Sequence, residues 1–377
     1  MRPNYTLLRV MLFLTLMPTA LARTLYVDGV SGNDNDDCKS PQSACKSVGH
    51  AVSLASSGDF IVVSAAIYNE NLTLGVSLNL IGSSTKPTII SGKTGKPVIT
   101  VPNASTRVTL SRLTISNGRT TQGGGIWNNG KLTINNCILR GNKANLRFGG
   151  FGGAIFNNGT LAISNSTLSG NNGGFGGGGI YNTGALTVSS STFSGNTASL
   201  GAGIDNAFHG TAAISNSTFN GNSGYQGAGI ANGGGNVLIN NSTISGNIAI
   251  KGGIYSGTHT ALQNSIVSNN GSGGDCYTID NGISSNGYNL SSDSTCNFNG
   301  PGDLNNIDPK LGSLRNNAGP TQTMVLLPGS PAIDAGNPNG CTDGHGHLLK
   351  TDQRGMPRPD PEDKGGCDMG AFERQSD

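Results

Sequence analysis

Residues 177–196 read GGGIYNTGALTVSSSTFSGN. By composition the stretch is linker-like, since Gly, Ser, Asn and Thr dominate and apolar residues are sparse. Close copies nevertheless recur as LTINNCILRGN (132–142), LAISNSTLSGN (161–171), LTVSSSTFSGN (186–196), AAISNSTFNGN (212–222), VLINNSTISGN (237–247) and ALQNSIVSNN (261–270), at spacings of 29, 25, 26, 25 and 24. A second unit alternates with them: GGGIWNNG, GGAIFNNG, GGGIYNTG, GAGIDNAF, GAGIANGG and KGGIYSGT. Each repeat therefore reads as two or three short alternating strands joined by Gly-rich turns.

Aligned copies give columns with a physical meaning. One apolar column runs Ile134, Ile163, Val188, Ile214, Ile239, and a second runs Leu139, Leu168, Phe193, Phe219, Ile244, Val267. A third runs Ile126, Ile155, Ile180, Ile204, Ile230, Ile254. Alternation along a strand turns these columns inward and their Ser and Thr neighbours outward. One coil cannot bury so few apolar residues, but coils stacked at the ~4.8 Å strand spacing turn them into continuous ladders. Asn136, Asn165, Asn216, Asn241 and Asn264, interrupted by Ser190, form an Asn column, and Asn142, Asn171, Asn196, Asn222, Asn247 and Asn270 form another. Stacked Asn side chains satisfy polar groups that a narrow interior would otherwise orphan.

The chain is thus expected to be all-β, a solenoid of about 25 residues per coil. Leucine-rich repeats have a similar length, but the intervening Gly, Asn and Ser are poor helix formers. The pattern resembles the right-handed parallel β-helix of the pectin-lyase-like superfamily. Residues 71–300 are assigned to it, with less regular early coils at Leu72–Leu74, Val76–Ile81, Thr88–Ile90, Val98–Val101 and Val108–Ile115. Residues 23–70 form an entry segment resembling that of many secreted β-helix proteins, with a short amphipathic helix over Ser47 to Ser56 as the N-terminal cap solenoids require. The Asp-rich turn Asn33 to Asp37 offers oxygens for calcium. A solvated loop pinned by a disulfide is the plainer reading, and no other cofactor or metal is expected.

The chain carries 60 Gly and only 12% charged residues, which suits a regular stack better than a solvated coil. No basic run is present, so nucleic acid is not an expected partner. Arg2 and Arg9, an apolar run from Val10 to Met17 and the Ala20-Leu21-Ala22 site read as a signal peptide over 1–22. The run is too short to span a bilayer, and no later segment reads as a membrane helix. The expected product is exported, secreted or at the cell surface, and is not an integral membrane protein. Six cysteines fall in neighbouring pairs, Cys38 with Cys45, Cys276 with Cys296 and Cys341 with Cys367, and are read as disulfides. Cys137 sits in a Ser column and reads as a buried bystander.

Beyond the repeats, LLPGSPAIDAGNP (326–338), TDQRGMPRP (351–359) and GGCDMGAFE (365–373) resemble, in this order, the end of bacterial surface β-helix proteins called choice-of-anchor proteins. Residues 301–377 are assigned to an irregular C-terminal cap in which the acids bond backbone amides and Arg354 or Arg358. The repeats also resemble those of chlamydial polymorphic outer-membrane proteins, through Gly152 to Ile155 and through Phe193 to Asn196 and Phe219 to Asn222. The second resemblance implies an adhesin-like role.

Enzymes of the pectin-lyase-like fold need a base with a carboxylate-neutralising group, or clustered carboxylates. Between residues 120 and 270 the only acid is Asp205. Asp205, the nearby His209 and His345 are weak catalytic candidates; Gly344-His345-Gly346 resembles a polygalacturonase motif but lacks its Asp-rich companions. Arg107, Arg112, Arg119, Lys131, Arg140, Lys143 and Arg147 are either an anion-binding patch or scattered solvated charges. The residue after each inward Ile reads Trp127, Phe156, Tyr181, Asp205, Ala231, Tyr255 and points outward. Trp127, Phe156, Tyr181 and Tyr255 are candidate ligand-binding residues, a platform for sugar rings with Asn128, Asn157 and Asn182 nearby. The competing expectation is that the Asn145 to Phe151 loop covers them. The main functional reading is an adhesin-like or glycan-binding surface protein. The alternatives are a polysaccharide lyase or glycoside hydrolase and a structural spacer.

Overall fold

Strand triplets too short to stand alone become a fold by stacking. In one coil the chain runs Ile126–Asn128, Lys131–Asn135 and Ile138–Arg140, and each pairs in parallel with its counterpart one coil on. Among the described residues, repetition builds three long parallel sheets: sheet 1 with 9 strands, sheet 2 with 11 and sheet 3 with 10. The structure is a computed structural model and describes residues 21–144, 149–280, 282–344, 346–361 and 366–375. It is a right-handed parallel β-helix. The signal peptide expected over 1–22 lies outside the described residues except for Leu21 and Ala22. Among those residues no helix is long and apolar enough to cross a membrane.

All three apolar columns are inward and buried. Phe193 and Phe219 stack with centroids 4.6 Å apart and planes 10° from parallel. The Asn142 column is a true internal ladder. Each Nδ2 donates to the Oδ1 one coil on, from Asn142 through Asn171, Asn196, Asn222 and Asn247 to Asn270, at 2.8–3.1 Å. The Gly before each of the first five has φ of 60–68°, a left-handed turn that a Cβ disfavours.

The other expected ladder is a different object. Asn136, Asn165, Ser190, Asn216, Asn241 and Asn264 have φ of 45–53°, the left-handed bend between sheets 2 and 3, which Asn tolerates better than most residues. Their side chains do not form a chain of amide bonds inside. Asn216 and Asn241 donate outward, to the carbonyls of Thr351 and Thr342. The last coil also differs by one residue, since Val237 pairs with Thr260 rather than Ala261.

At the N-terminus, helix α1 (Val48–Leu54) buries Val48 and Ala51 against the first strands. Ser47 caps it, and the Glu70 carboxylate accepts from the amides of Val48 and Gly49. Asp34 accepts from the amides of Lys46 and Ser47, and Asp37 from the Lys39 amide and Ser43 hydroxyl. These bonds tie Asp34 and Asp37 of the Asp-rich turn to the chain's own donors. All three expected disulfides are present, Cys38–Cys45, Cys276–Cys296 and Cys341–Cys367, while Cys137 is a buried free thiol.

The C-terminal region closes the last coil through Leu290, Leu304, Leu326, Met369 and Phe372, then runs back along the outside of sheet 3. Thr192, Thr218 and Thr243, in register on successive coils, bond Gln322 O, Gln353 Oε1 and Ala371 N. Arg358 and Glu373 form a fully buried ion pair at 2.7 Å, with Arg358 Nη1 also on Asn216 Oδ1 at 2.9 Å. Asp352 receives Arg354 and the amides of Met356 and Glu373, as expected of the tail acids. Glu362 and Asp363 lie outside the described residues.

Candidate functional site

Each strand of sheet 1 is an Ile-X-Asn triplet or close to it, so alternation buries the first and third residues and turns the middle one out. Parallel registration aligns the middle residues: Thr73, Thr100, Trp127, Phe156, Tyr181, Asp205, Ala231, Tyr255 and Tyr277. The row thus unites Trp127, Phe156, Tyr181, Asp205 and Tyr255. Phe156 stacks on Tyr181 at 5.3 Å and Tyr255 on Tyr277 at 5.8 Å. Between the two groups lie only Asp205 and Ala231, so Tyr181 and Tyr255 stand three strand spacings apart, about 14 Å.

Asn128, Asn157 and Asn182, expected beside a sugar on this face, are instead turned inward. They form a second buried Asn ladder with Asn206 and Asn232, with side-chain bonds of 2.7–3.0 Å. Ile and Asn stand two residues apart and so share the inward face, while the ring between them takes the outward one.

The row has a rim. The Gly-rich segments preceding sheet 1 form a ledge that includes a small parallel pair, Asn172–Gly176 with Thr197–Leu200. Phe151 reaches over the row, with its ring 4.7 Å from Tyr181 and 5.6 Å from Phe175. Of the expected covering loop, residues 145–148 lie outside the described residues; Phe151 covers Tyr181, which is 7% exposed, while Trp127, Phe156 and Tyr255 stay half-buried and Tyr277 is exposed. Lys251 lies 5.1 Å from the centroid of Tyr277 and 5.7 Å from that of Tyr225. A recess of about 410 Å³ opens on the ledge between Asn172, Thr197, Ser223 and Tyr225.

Asp205 is 4% exposed, and a Cβ at Gly176 would overlap its carboxylate. Among the described residues none donates a hydrogen bond to it, and burial alone pushes its pKa up to about 7. Burial, followed by the Asp205 charge, pushes the neighbouring Tyr181 phenol up to about 12. His209 is exposed on the turn after Phe208, with no hydrogen bond to Asp205 among the described residues, so the two do not form a dyad. His345 lies outside the described residues. Sequence reasoning named Phe151 only as part of a covering loop and missed Phe175, Tyr225, Lys251 and Tyr277. Tyr277 was legible in principle: Cys276 holds the inward position of Ile254, so the row continues one coil beyond the Ile signature.

One group of metal-type ligands exists among the described residues, Cys38, Cys45 and His50, but its cysteines are joined as a disulfide.

No protein-family model matches the sequence, and no curated protein matches it. Among solved structures, the chain is similar to pectate lyase Pel9A, at 14% identity and TM-score 0.51 over 93% of this chain and 96% of that one. It is equally similar to XylC in complex with xylose, at 9% identity and TM-score 0.51 over 93% of this chain and 98% of that one. A GH136 lacto-N-biosidase from Eubacterium ramulus aligns at 13% identity and TM-score 0.49 over 71% of this chain, which spans 60% of that one. The likeness to Pel9A and XylC establishes the parallel β-helix fold.

Proposed function

We propose that this protein is an extracellular carbohydrate-binding β-helix whose sugar-binding surface is the outward row of sheet 1. The row itself carries the reading. Trp127, Phe151, Phe156, Phe175, Tyr181, Tyr225, Tyr255 and Tyr277 gather on one side of a chain that has only 11 Phe, 8 Tyr and 1 Trp. Flat rings standing on a rigid sheet are preorganised for the apolar faces of sugars and lose little entropy on binding. Two ring groups about 14 Å apart suit an extended chain better than one monosaccharide. A carbohydrate ligand also agrees with what the two similar folds are named for, a pectate lyase and a protein in complex with xylose. Export through the 1–22 segment and three disulfides fit an extracellular setting, in which adhesion to a glycan-coated surface is one use of such a rod.

A second reading, a carbohydrate-active enzyme, is favoured by one observation. Asp205 is a buried carboxyl at the middle of the row, with its pKa raised to about 7, the property of a proton donor near neutral pH.

Trp127 is the only Trp of the chain, so its emission reports the row directly. Titration with a panel of polysaccharides is expected to shift that emission for an extended glycan. Phe156→Ala or Tyr255→Ala should weaken the response about tenfold, equivalent to ~1.4 kcal/mol. If no glycan in the panel binds, the proposal is wrong. New reducing ends or unsaturated products that vanish in Asp205→Asn while binding persists would establish the enzymatic reading; binding without any product would remove it.

A further inference from the structure

From Asn71 to Ile204 the chain contains ten Lys and Arg residues and no Asp or Glu. Near-neutral overall composition conceals this block, because the acids lie before and after it. Among the described residues, ion pairs use Arg23, Lys39, His347, Arg354 and Arg358, and none of the block. Its nine described members are all exposed. Glu70, the acid next to the block in sequence, is held on helix α1.

The block is not scattered evenly. Lys93, Lys96, Arg119, Arg140 and Lys143 gather at the corner where sheet 3 passes to sheet 1. Bridges align Thr94, Arg119 and Lys143 on three successive coils, with backbone bonds Gly95 N to Arg119 O at 2.7 Å and Thr120 N to Lys143 O at 3.1 Å. Asn71 pins the loop carrying Lys93 and Lys96, accepting from Lys93 N and donating to the carbonyls of Lys96 and Pro97. Beside them, a recess of about 420 Å³ is lined by Ser116, Asn117, Arg140 and Ser169. From this corner the chain passes in eight residues from Arg119 to Trp127, so the cations flank the early end of the aromatic row.

We propose that this corner binds the anionic groups of an acidic glycan lying along the same side of the rod, a deepening that rests on the glycan reading above. Arg119 and Lys143 stand in register on successive coils, one ~4.8 Å strand spacing apart, a step comparable to the advance of one pyranose in an extended chain. Lys93 and Lys96 flank Thr94 on the coil before. The rings read the sugar faces while the corner reads the charges. Farther along the same corner the position of Lys143 passes to Asn172, Thr197, Ser223 and Ile248, so the anion-reading part is confined to the early coils.

The test compares polygalacturonate, its methyl-esterified form, a sulfated neutral glycan and single-stranded DNA by Trp127 emission and by calorimetry. The acidic chain should bind about tenfold or more tightly than the esterified one, and that gap should close at high salt. The triple variant Lys93→Gln/Arg119→Gln/Lys143→Gln should abolish the gap and leave the esterified chain bound. Lys86→Gln/Arg107→Gln/Lys131→Gln removes the same charge from the other corners and should keep it. Equal loss in both variants would mean a general field rather than this corner, and overturns the proposal. So does equal binding of esterified and acidic chains, which leaves the glycan reading intact; failure of every sugar to bind overturns that reading too. Polygalacturonate and the sulfated chain separate carboxylate from sulfate as the anion, while DNA binding as tightly as either means the corner recognises any polyanion and refutes a glycan partner.

Discussion

Asp205 stands where its neighbours on either side would permit an aromatic ring or a small apolar residue, and it is the only acid within the regular repeats. Its folded pKa, about 7, lies above the ordinary value of 3.8, so the native protein holds its proton where the unfolded chain has released it. Between about pH 4 and pH 7 the unfolded state therefore binds fewer protons, and stability falls as pH rises through that window. The loss approaches about 4 kcal/mol above pH 7, at 1.36 kcal/mol per unit. Asp205→Asn should melt higher than the parent at pH 8 and at the same temperature at pH 4, measured by differential scanning calorimetry. Identical pH profiles for the two proteins would show that Asp205 does not titrate in this window. At this scale the sequence made Asp205 visible as a lone acid, but its burial comes from Gly176 and the ledge, which no local pattern specifies.

At the scale of the coil, stability comes from ladders. Asn196 accepts from the amide and side chain of Asn171, and donates to Leu168 O and Asn222 Oδ1. Asn196→Ala leaves several buried groups unpaired and should destabilise the protein by about 3 kcal/mol. Asn136→Ala, at an exposed left-handed bend, should cost only about 1 kcal/mol through backbone strain. Urea unfolding of both variants checks the ranking, and an equal effect would contradict the division between ladder and bend. Both columns look alike in the sequence. They separate only in three dimensions, because one Asn column follows a Gly in a turn that points the side chain inward, while the other occupies the turn itself.

At the scale of the molecule, the tail decides which face of the rod is available. Residues beyond 320 sit on the Thr192, Thr218 and Thr243 rail of sheet 3, whereas Ile138, on an earlier coil of that sheet, remains exposed. Sheet 1 keeps its outward row clear of the tail contacts made by sheet 3. Arg358→Met would leave Glu373 buried without its partner, and such breaks cost about 3–5 kcal/mol. The expected result is a lower melting temperature and faster proteolysis within the tail, with glycan-induced Trp127 emission preserved below the transition. Loss of ligand response in a still-folded variant would indicate that the tail supports the row directly.

The sequence by itself determined the solenoid, because a 23–29-residue period with matching Ile, Leu and Asn columns has one economical solution: parallel stacking that converts sparse apolar residues into a core. It also determined the disulfide pairing by proximity, and the outward direction of Trp127, Phe156, Tyr181, Asp205 and Tyr255 by alternation. The same alternation turns Asn128, Asn157 and Asn182 inward, against the expectation that they stand beside a sugar. Only the tertiary structure decided which outward groups are covered and that the tail occupies sheet 3. Those outcomes depend on contacts between segments up to 162 residues apart, such as Gln353 on Ser191, and local periodicity carries no information about them.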